Sequence, residues 1–279
     1  MQKSDAVGTL FIVSTPIGNL GDISARAIET LRTVAVVLAE DTRHSRPLLQ
    51  RFDLHTPLLS YHEHNEARTA DALVARMRAG ESMALISDAG TPLLSDPGAR
   101  LVAAAIDALV RVVPIPGASA LLSALVASGI SAGRFTFFGF LERKGAERTS
   151  ALAEIASLSH TAVLYEAAPR VAVTLRELAA LGCGARQGSV ARELTKQFEE
   201  LRRGTLDELA QYYSETPPRG EVAIVIAGAP PVVADESAAR EKARKLRAGG
   251  LSTRDVARAL VTEQGITRNA AYKLAQEED

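Results

Sequence analysis

Four short stretches of this sequence set ionisable or hydroxyl side chains beside glycine and proline, each directly after an apolar run. The first is Ser14-Thr-Pro-Ile-Gly-Asn-Leu-Gly-Asp22. Its glycines let the main chain approach a ligand. It is neither a Walker loop nor GxGxxG, since no Gly-Lys-Ser/Thr follows. The second is Glu40-Asp-Thr-Arg-His44. Four ionisable groups just beyond a buried strand are costly unless they are solvated, paired or functional. A plain helix start accounts for Asp41 or Thr42 as a cap. It leaves Arg43 and His44 unexplained, so a functional site is favoured. The third and most specific is Ser87-Asp-Ala-Gly-Thr-Pro-Leu-Leu-Ser-Asp-Pro-Gly98, an acid followed by two Gly/Pro turns. Asp88 there can accept hydrogen bonds from a ribose or an amino group. The fourth is Pro114-Ile-Pro-Gly-Ala-Ser-Ala120, where Gly117 permits a sharp turn that exposes Ser119 and main-chain groups.

The elements that must position these turns alternate. Strands are expected at 9–14, 34–38, 57–61, 83–87 and 111–115. Helices are expected at 23–32, with Asp22 as cap, and at 42–51, 66–79, 98–109 and 118–127. Short β-branched runs separated by helices imply parallel strands with crossovers, hence an α/β sheet. Ligands of such sheets lie beyond the carboxyl ends of the strands, where the four stretches fall. A second unit opens at 135–140 and continues with helix 146–157, strand 161–165 and helix 171–180. Strand-like runs follow at 188–195, 198–204 and 221–227. With few helices between these last runs, this half is expected to be a mixed sheet. A proline-rich linker spans 229–237. Three helices, at 240–247, 251–260 and 265–274, look like a helix-turn-helix module. The expected domains are therefore 1–120, 121–230 and 238–279.

The chain has 279 residues, 47% hydrophobic, with 23% charged and a formal net charge of −1. That balance excludes a wholly basic nucleic-acid coat protein and leaves room for a local basic patch. The single cysteine, Cys183, allows no intrachain disulfide and reads as a packed residue in a turn. No run approaches the ~20 apolar residues of a membrane helix. The polar start, residues 1–8, lacks a signal peptide's apolar core, so a cytoplasmic protein with no membrane partner is expected. His55, His62 and His64 with Glu63 lack a fourth ligand, and no metal is expected.

Taken together, Thr15-Pro-Ile-Gly-Asn-Leu-Gly-Asp-Ile-Ser24, Ala39-Glu-Asp-Thr-Arg43, residues 86–98 and residues 114–120 resemble the tetrapyrrole-methylase superfamily. Within it the chain looks like the branch that methylates a cytidine 2′-hydroxyl of small-subunit ribosomal RNA. Tyr165-Glu-Ala-Ala-Pro-Arg170, Arg192-Glu-Leu-Thr-Lys-Gln-Phe-Glu199 and Gly220-Glu221 extend the match. The resemblance implies a two-domain α/β fold, a homodimer, and S-adenosylmethionine in the cleft between domains. By position, it implies cofactor contacts from Ile17, Ser87, Asp88, Thr91, Ser119, Ala120, Glu166, Leu194, Glu221 and Val222. Tetrapyrrole-methylating relatives read Gly-x-Gly-Pro-Gly and Gly-Asp-Pro where this chain has Ser14-Thr-Pro-Ile-Gly and Ser87-Asp-Ala-Gly. That departure favours the RNA branch, with the 30S subunit or its RNA as partner.

Methylating a ribose hydroxyl needs a base, or a cation for the forming alkoxide, within ~3 Å. Candidates at strand ends are Glu40, Asp41, Arg43, Glu166, Arg192, Glu193 and Lys196. Arg43 and Lys196 suit phosphate or alkoxide contacts, and Glu40 or Glu166 suits the base. The competing reading of these groups is a set of salt bridges across the cleft. Residues 240–273 hold nine Lys/Arg and three Asp/Glu, a surplus suited to phosphate contacts. Two other functions stay open at this stage. One is a tetrapyrrole or precorrin C-methyltransferase. The other is a helix-turn-helix regulator with a ligand-sensing α/β domain, for which Arg268, Asn269 and Lys273 make a thin base-reading helix.

Overall fold

The structure is a computed structural model that describes residues 7–230, 236–264 and 266–277. Part of the N-terminal segment, most of the expected linker and Gly265 at the expected start of the last helix lie outside those residues. The chain divides into two compact units, Met1–Ala227 and Gly228–Asp279.

The first unit holds two five-stranded sheets. In the first, β1 (Thr9–Val13), β2 (Val36–Ala39), β3 (Leu58–Ser60), β4 (Met83–Ile86) and β5 (Arg111–Ile115) run parallel in the order β3-β2-β4-β1-β5. Every residue of β2 and β4 is buried. Near-continuous apolar runs are what strands covered on both faces require. The crossovers are α1 (Ala25–Thr33), α2 (Thr42–Arg51), α3 (Glu63–Arg78) and α4 (Ala99–Asp107). Leu10, Leu38, Tyr61 and Leu85 fill one face of the sheet, and Val13, Val37, Ala84 and Ile115 fill the other.

Asp22 does not cap α1 as expected. It closes a short 3₁₀ turn, and Ser24 takes the cap by accepting from Ala27 N at 3.1 Å. Both residues are good caps, and the extended backbone the cap requires falls at Ser24.

α5 (Ala120–Ala127) packs Leu121, Ala124 and Leu125 against Val163, Ala191, Ala223 and Val225 of the second sheet. This apolar helix, which follows the last strand of the first sheet, thereby packs into the core of the second half. That sheet comprises β6 (Phe135–Phe140), β7 (Thr161–Ala167), β8 (Gln187–Arg192), β9 (Glu200–Thr205) and β10 (Glu221–Ile226), in the order β6-β7-β10-β8-β9. Only β6 and β7 are parallel; the other neighbours are antiparallel, so the sheet is mixed as expected. α6 (Ala146–Ser157) and α7 (Val171–Leu178) cover its other face.

They are joined there by α8 (Leu206–Glu215), a helix absent from the sequence expectations. Its signal was present. Thr205 and Glu208 form a reciprocal capping box, at 3.2 and 2.8 Å, directly after β9. The short run before the linker concealed it.

In the second unit, α9 (Glu236–Ala248), α10 (Thr253–Gln264) and α11 (Arg268–Glu277) enclose a small core of Ala243, Val256, Leu260, Ala271 and Leu274. Ser252 caps α10, accepting from Asp255 N at 3.2 Å. Thr267 stands at the start of α11, its hydroxyl 3.4 Å from Ala270 N.

Candidate active site

Parallel strands deliver their carboxyl-terminal turns to one edge, and here three of those turns are tied together. Thr15 and Gly90 exchange main-chain hydrogen bonds at 2.8 and 3.1 Å, joining the β1 turn to the β4 turn. The Thr91 hydroxyl donates to Ala118 O at 3.1 Å, joining the β4 turn to the β5 turn. That spends its one proton, so Ser14 Oγ, 3.0 Å away, must donate to Thr91 Oγ1. Gly117 lets the backbones approach closely at this junction, since a Cβ there would stand 3.0 Å from the Ser14 Cβ. The β2 turn joins through Asp88, whose Oδ1 accepts from Asp41 N at 3.2 Å.

The second sheet supplies the opposite wall. Tyr165 Oη accepts from Leu121 N at 3.0 Å, in the first turn of α5. Thr195 Oγ1 accepts from Asn19 N at 3.1 Å, tying the turn after β8 to the turn after β1. Lys196 lies across Gly18, where a Cβ would come within 2.4 Å of its Cγ. Both wall-forming turns carry pairs of non-glycine residues in the left-handed region: Leu93 and Ser95 (φ 73° and 70°), and Glu193 and Thr195 (φ 51° and 66°). Such conformations cost about 1–3 kcal/mol each and persist only where the surroundings enforce them, commonly at functional sites.

These turns enclose a cavity of about 310 Å³, at the small end of ligand-site volumes. Of the residues expected to contact a cofactor, Ile17, Asp88, Thr91, Ala120, Glu166, Leu194, Glu221 and Val222 line it. Ser87 and Ser119 sit behind it, buried. Ser119 caps α5, and the Ser87 hydroxyl lies 3.3 Å from Ala89 O.

The expected catalytic set is dispersed. Glu166 has its carboxylate wholly enclosed. Oε1 accepts from Ala167 N at 2.8 Å and pairs with Arg170, while Oε2 accepts from Thr174 Oγ1 at 2.6 Å with Arg148 3.9 Å away. Arg43 points outward and chelates the Asp41 carboxylate at 3.1 and 2.7 Å. Those bonds hold the Asp41 carboxyl well below the usual carboxylate range. Lys196 Nζ bridges Glu193 at 2.9 Å and Glu221 at 3.0 Å. Burial opposes the Lys196 charge, yet these two carboxylates outweigh it and raise its pKa. Glu40 lies outside the lining and is raised by burial and by the neighbouring Asp88.

Lining residues that were not singled out from the sequence include Leu94, Asp96, Phe140 and Tyr165. Asp96 is the informative one. Burial pushes its carboxyl up to about 6, Glu40 and Asp88 push the same way, and a hydrogen bond from Ser87 only partly offsets them. Its signal lay within the third stretch, as the acid of the second Gly/Pro turn. Tyr165 lies close enough that Asp96 raises its pKa, beyond the larger effect of burial.

The model of the Tetrapyrrole (Corrin/Porphyrin) Methylases family matches residues 9–210. A protein of Synechocystis sp. named "Ribosomal RNA small subunit methyltransferase I" is 46% identical over 97% of this chain and 98% of its own length. A protein of the same name from Xylella fastidiosa is 49% identical over 84% of this chain and 85% of its own. Among solved structures, the uroporphyrin-III C-methyl transferase of Thermus thermophilus, complexed with S-adenyl homocysteine, aligns with a TM-score of 0.57. It covers 79% of this chain and 97% of that one at 19% identity, a likeness of fold.

Proposed function

This chain belongs to the tetrapyrrole methylase family, and on that premise we propose that it transfers a methyl group from S-adenosylmethionine to a cytidine 2′-hydroxyl of small-subunit ribosomal RNA. One observation carries the proposal: the turns after β1, β4 and β5 close on a single cavity that also holds a carboxylate of raised pKa. The names of the Synechocystis and Xylella relatives support the RNA substrate. The ligand of the Thermus neighbour supports the cofactor.

The residues fit that cofactor. Gly90 (φ 79°) keeps a side chain out of the space beside Ile17, whose Cγ2 would be 3.2 Å from a Cβ. Ile17, Ala120, Leu194 and Val222 supply apolar contact, and Asp88 supplies an acceptor for hydroxyl or amino groups. Thr91 and Ser119 fix the turns, while Ser87 backs them and Glu221 forms the rim. When bound, S-adenosylmethionine supplies a methyl group made electrophilic by a positively charged sulfur. The chain's own task is to orient the ribose hydroxyl and take its proton.

Asp96 is the group suited to that proton, since a carboxyl with a pKa of about 6 is mostly ionised at neutral pH and still basic. Leu94 and Phe140, exposed apolar residues of the lining, exclude water once RNA is seated. Lys196 positions the turn after β8 over Gly18, while Arg43 is held by Asp41.

Asp88→Ala is expected to weaken S-adenosylmethionine binding about 10- to 100-fold without unfolding the protein, the loss of one charge-assisted acceptor. Isothermal calorimetry checks this, and unchanged affinity would remove Asp88 from the cofactor site.

We assign the basic helices α9–α11 to RNA phosphates and the working location to the cytoplasm, where the ribosomal subunit is. A homodimer suits α5, on which Leu122 and Val126, one turn apart, are 50% and 75% exposed. The test is methyl transfer from labelled S-adenosylmethionine to 30S subunits, with nucleotide mapping of the product. A protein lacking residues 238–279 should lose subunit affinity and keep cofactor affinity. Label on another RNA position, or none, sinks the substrate reading, and sedimentation at the mass of one protomer sinks the dimer.

A further inference from the structure

The same end of the second sheet carries another cavity, on the face covered by α8. It has a volume of about 180 Å³ and is lined by Arg192, Glu200, Tyr212, Tyr213, Pro217 and Arg219, among others. Alternation along β8 sets it apart from the first cavity. Ala191 faces α5, while Arg192 is directed to the opposite face. The two cavities share a rim, since Arg192 and Leu194 on one segment, and Arg219 and Glu221 on the other, divide between them.

Three features of this cavity call for a ligand. Tyr213 is 2% exposed, and among the described residues its hydroxyl has no hydrogen-bond partner. An unpaired buried hydroxyl costs about 1–3 kcal/mol, so its retention needs a reason. The charge around it is positive. Glu200 is shared by Arg192, at 3.1 Å, and Arg202, at 3.4 Å. Arg219 is exposed and forms no ion pair among the described residues. Arg202 lies 3.5 Å over the Tyr212 ring, which holds its guanidinium in place. Burial first, then Glu200, pushes the Tyr213 hydroxyl up to about 12, so it remains a donor at neutral pH. The volume is below the ~300 Å³ of sites that hold whole cofactors, and suits a single small anionic group.

We propose that this second cavity is a phosphate subsite, in which Arg219, Arg192 and the Tyr213 hydroxyl hold one phosphate of the RNA strand whose target ribose enters the first cavity. The proposal rests on the RNA-methyltransferase reading above. It adds a contact made by the first unit itself, next to the chemistry. An RNA held on both sides of one rim has its register fixed, because seating one phosphate sets which ribose reaches Asp96. The phosphate accepts from the Tyr213 hydroxyl and so satisfies a buried donor without a partner among the described residues. Glu200 confines Arg192 and Arg202 and leaves Arg219 as the unspent cation.

Methyl transfer to 30S subunits tests this, with Arg219→Ala and Tyr213→Phe beside the wild type and cofactor affinity from calorimetry. The expected result is a KM for subunits raised roughly tenfold in Arg219→Ala, with kcat and cofactor affinity unchanged. Its dependence on salt becomes shallower by about one phosphate contact. Tyr213→Phe shows a smaller rise in KM and a Tm no lower than wild type, since the lost hydroxyl has no hydrogen-bond partner among the described residues.

Inorganic phosphate distinguishes two sources of the same anion. Competition with subunits in the wild type but not in Arg219→Ala marks a site that also takes free phosphate. Absence of competition, with the KM losses intact, marks a site read only within the RNA backbone. Wild-type KM and salt dependence in both variants overturn the subsite. So does an Arg219→Ala protein whose assembly state falls, because a partner copy's carboxylate would then fill the cavity. A wild type inert toward subunits overturns the methyl-transfer reading, and the subsite with it.

Discussion

Asp96→Asn lowers kcat for RNA methylation by about 10²- to 10⁴-fold while leaving S-adenosylmethionine affinity close to wild type, the effect expected when a positioned base is lost. Asparagine preserves the shape of the side chain and cannot take a proton. The wild-type rate has a matching pH signature. Asp96 acts when ionised and its pKa is raised to about 6, so kcat falls as pH drops through that value. Stability carries the opposite sign. The folded pKa lies above the ordinary 3.8, so the folded state binds this proton more tightly than the unfolded state does. Its ionisation is therefore a destabilising contribution, absent below pH 3.8 and fully present above about 6. Asn removes it, and the variant's Tm rises relative to wild type across that window. Single-turnover rates and thermal unfolding from pH 4 to 8 measure both. A wild-type kcat in the variant would end the assignment of Asp96 as base.

Glu166→Ala unfolds at markedly lower denaturant, with a loss of about 3–5 kcal/mol, because it strands the Arg170 guanidinium and takes an enclosed carboxylate from beside Arg148. Arg148 is 6% exposed at its side chain and keeps bonds to Glu177, Thr174 and Glu142 O. Arg170 keeps Leu141 O. Neither set replaces the carboxylate that joins β7 to α7. A domain is stable by only ~5–15 kcal/mol, so this is a large fraction. Glu166→Gln keeps an acceptor for Thr174 and loses less. Urea unfolding of both variants decides the matter. Unchanged stability with lost methyl transfer would return Glu166 to the part of a base, as the sequence allowed. The bonds to Arg170, Thr174 and Ala167 N instead make it a positioning residue beneath the cavity.

The parallel sheet was legible because β1, β2 and β4 are apolar runs of strand length and the helices between them are capped. The same local rules marked the turns that line the cavity. After a strand, glycine frees the backbone for a sharp turn and proline fixes it, both over a few residues, and Asp88, Thr91 and Ser119 reveal themselves by standing there. The mixed second sheet followed from the scarcity of helices after residue 187. α8 was missed although Thr205 and Glu208 announced its start, since its short apolar pattern adjoins a stretch rich in proline.

What the sequence determined by itself was therefore the set of turns, their chemistry and the family. Which charges are free was decided only in three dimensions. Arg43, Lys196 and Glu166 were attractive as isolated side chains, and each proves to be held by a partner. Asp41 lies two residues from Arg43, but Glu221 reaches Lys196 across 25 residues of chain. Asp96 looked like one more turn acid, until folding placed it among Glu40, Asp88 and the Tyr165 ring in a partly dry cleft. Local pattern fixes backbone geometry because its forces act over a few residues. Desolvation and ion pairing depend on which distant groups the fold brings together, and no spacing along the chain encodes that.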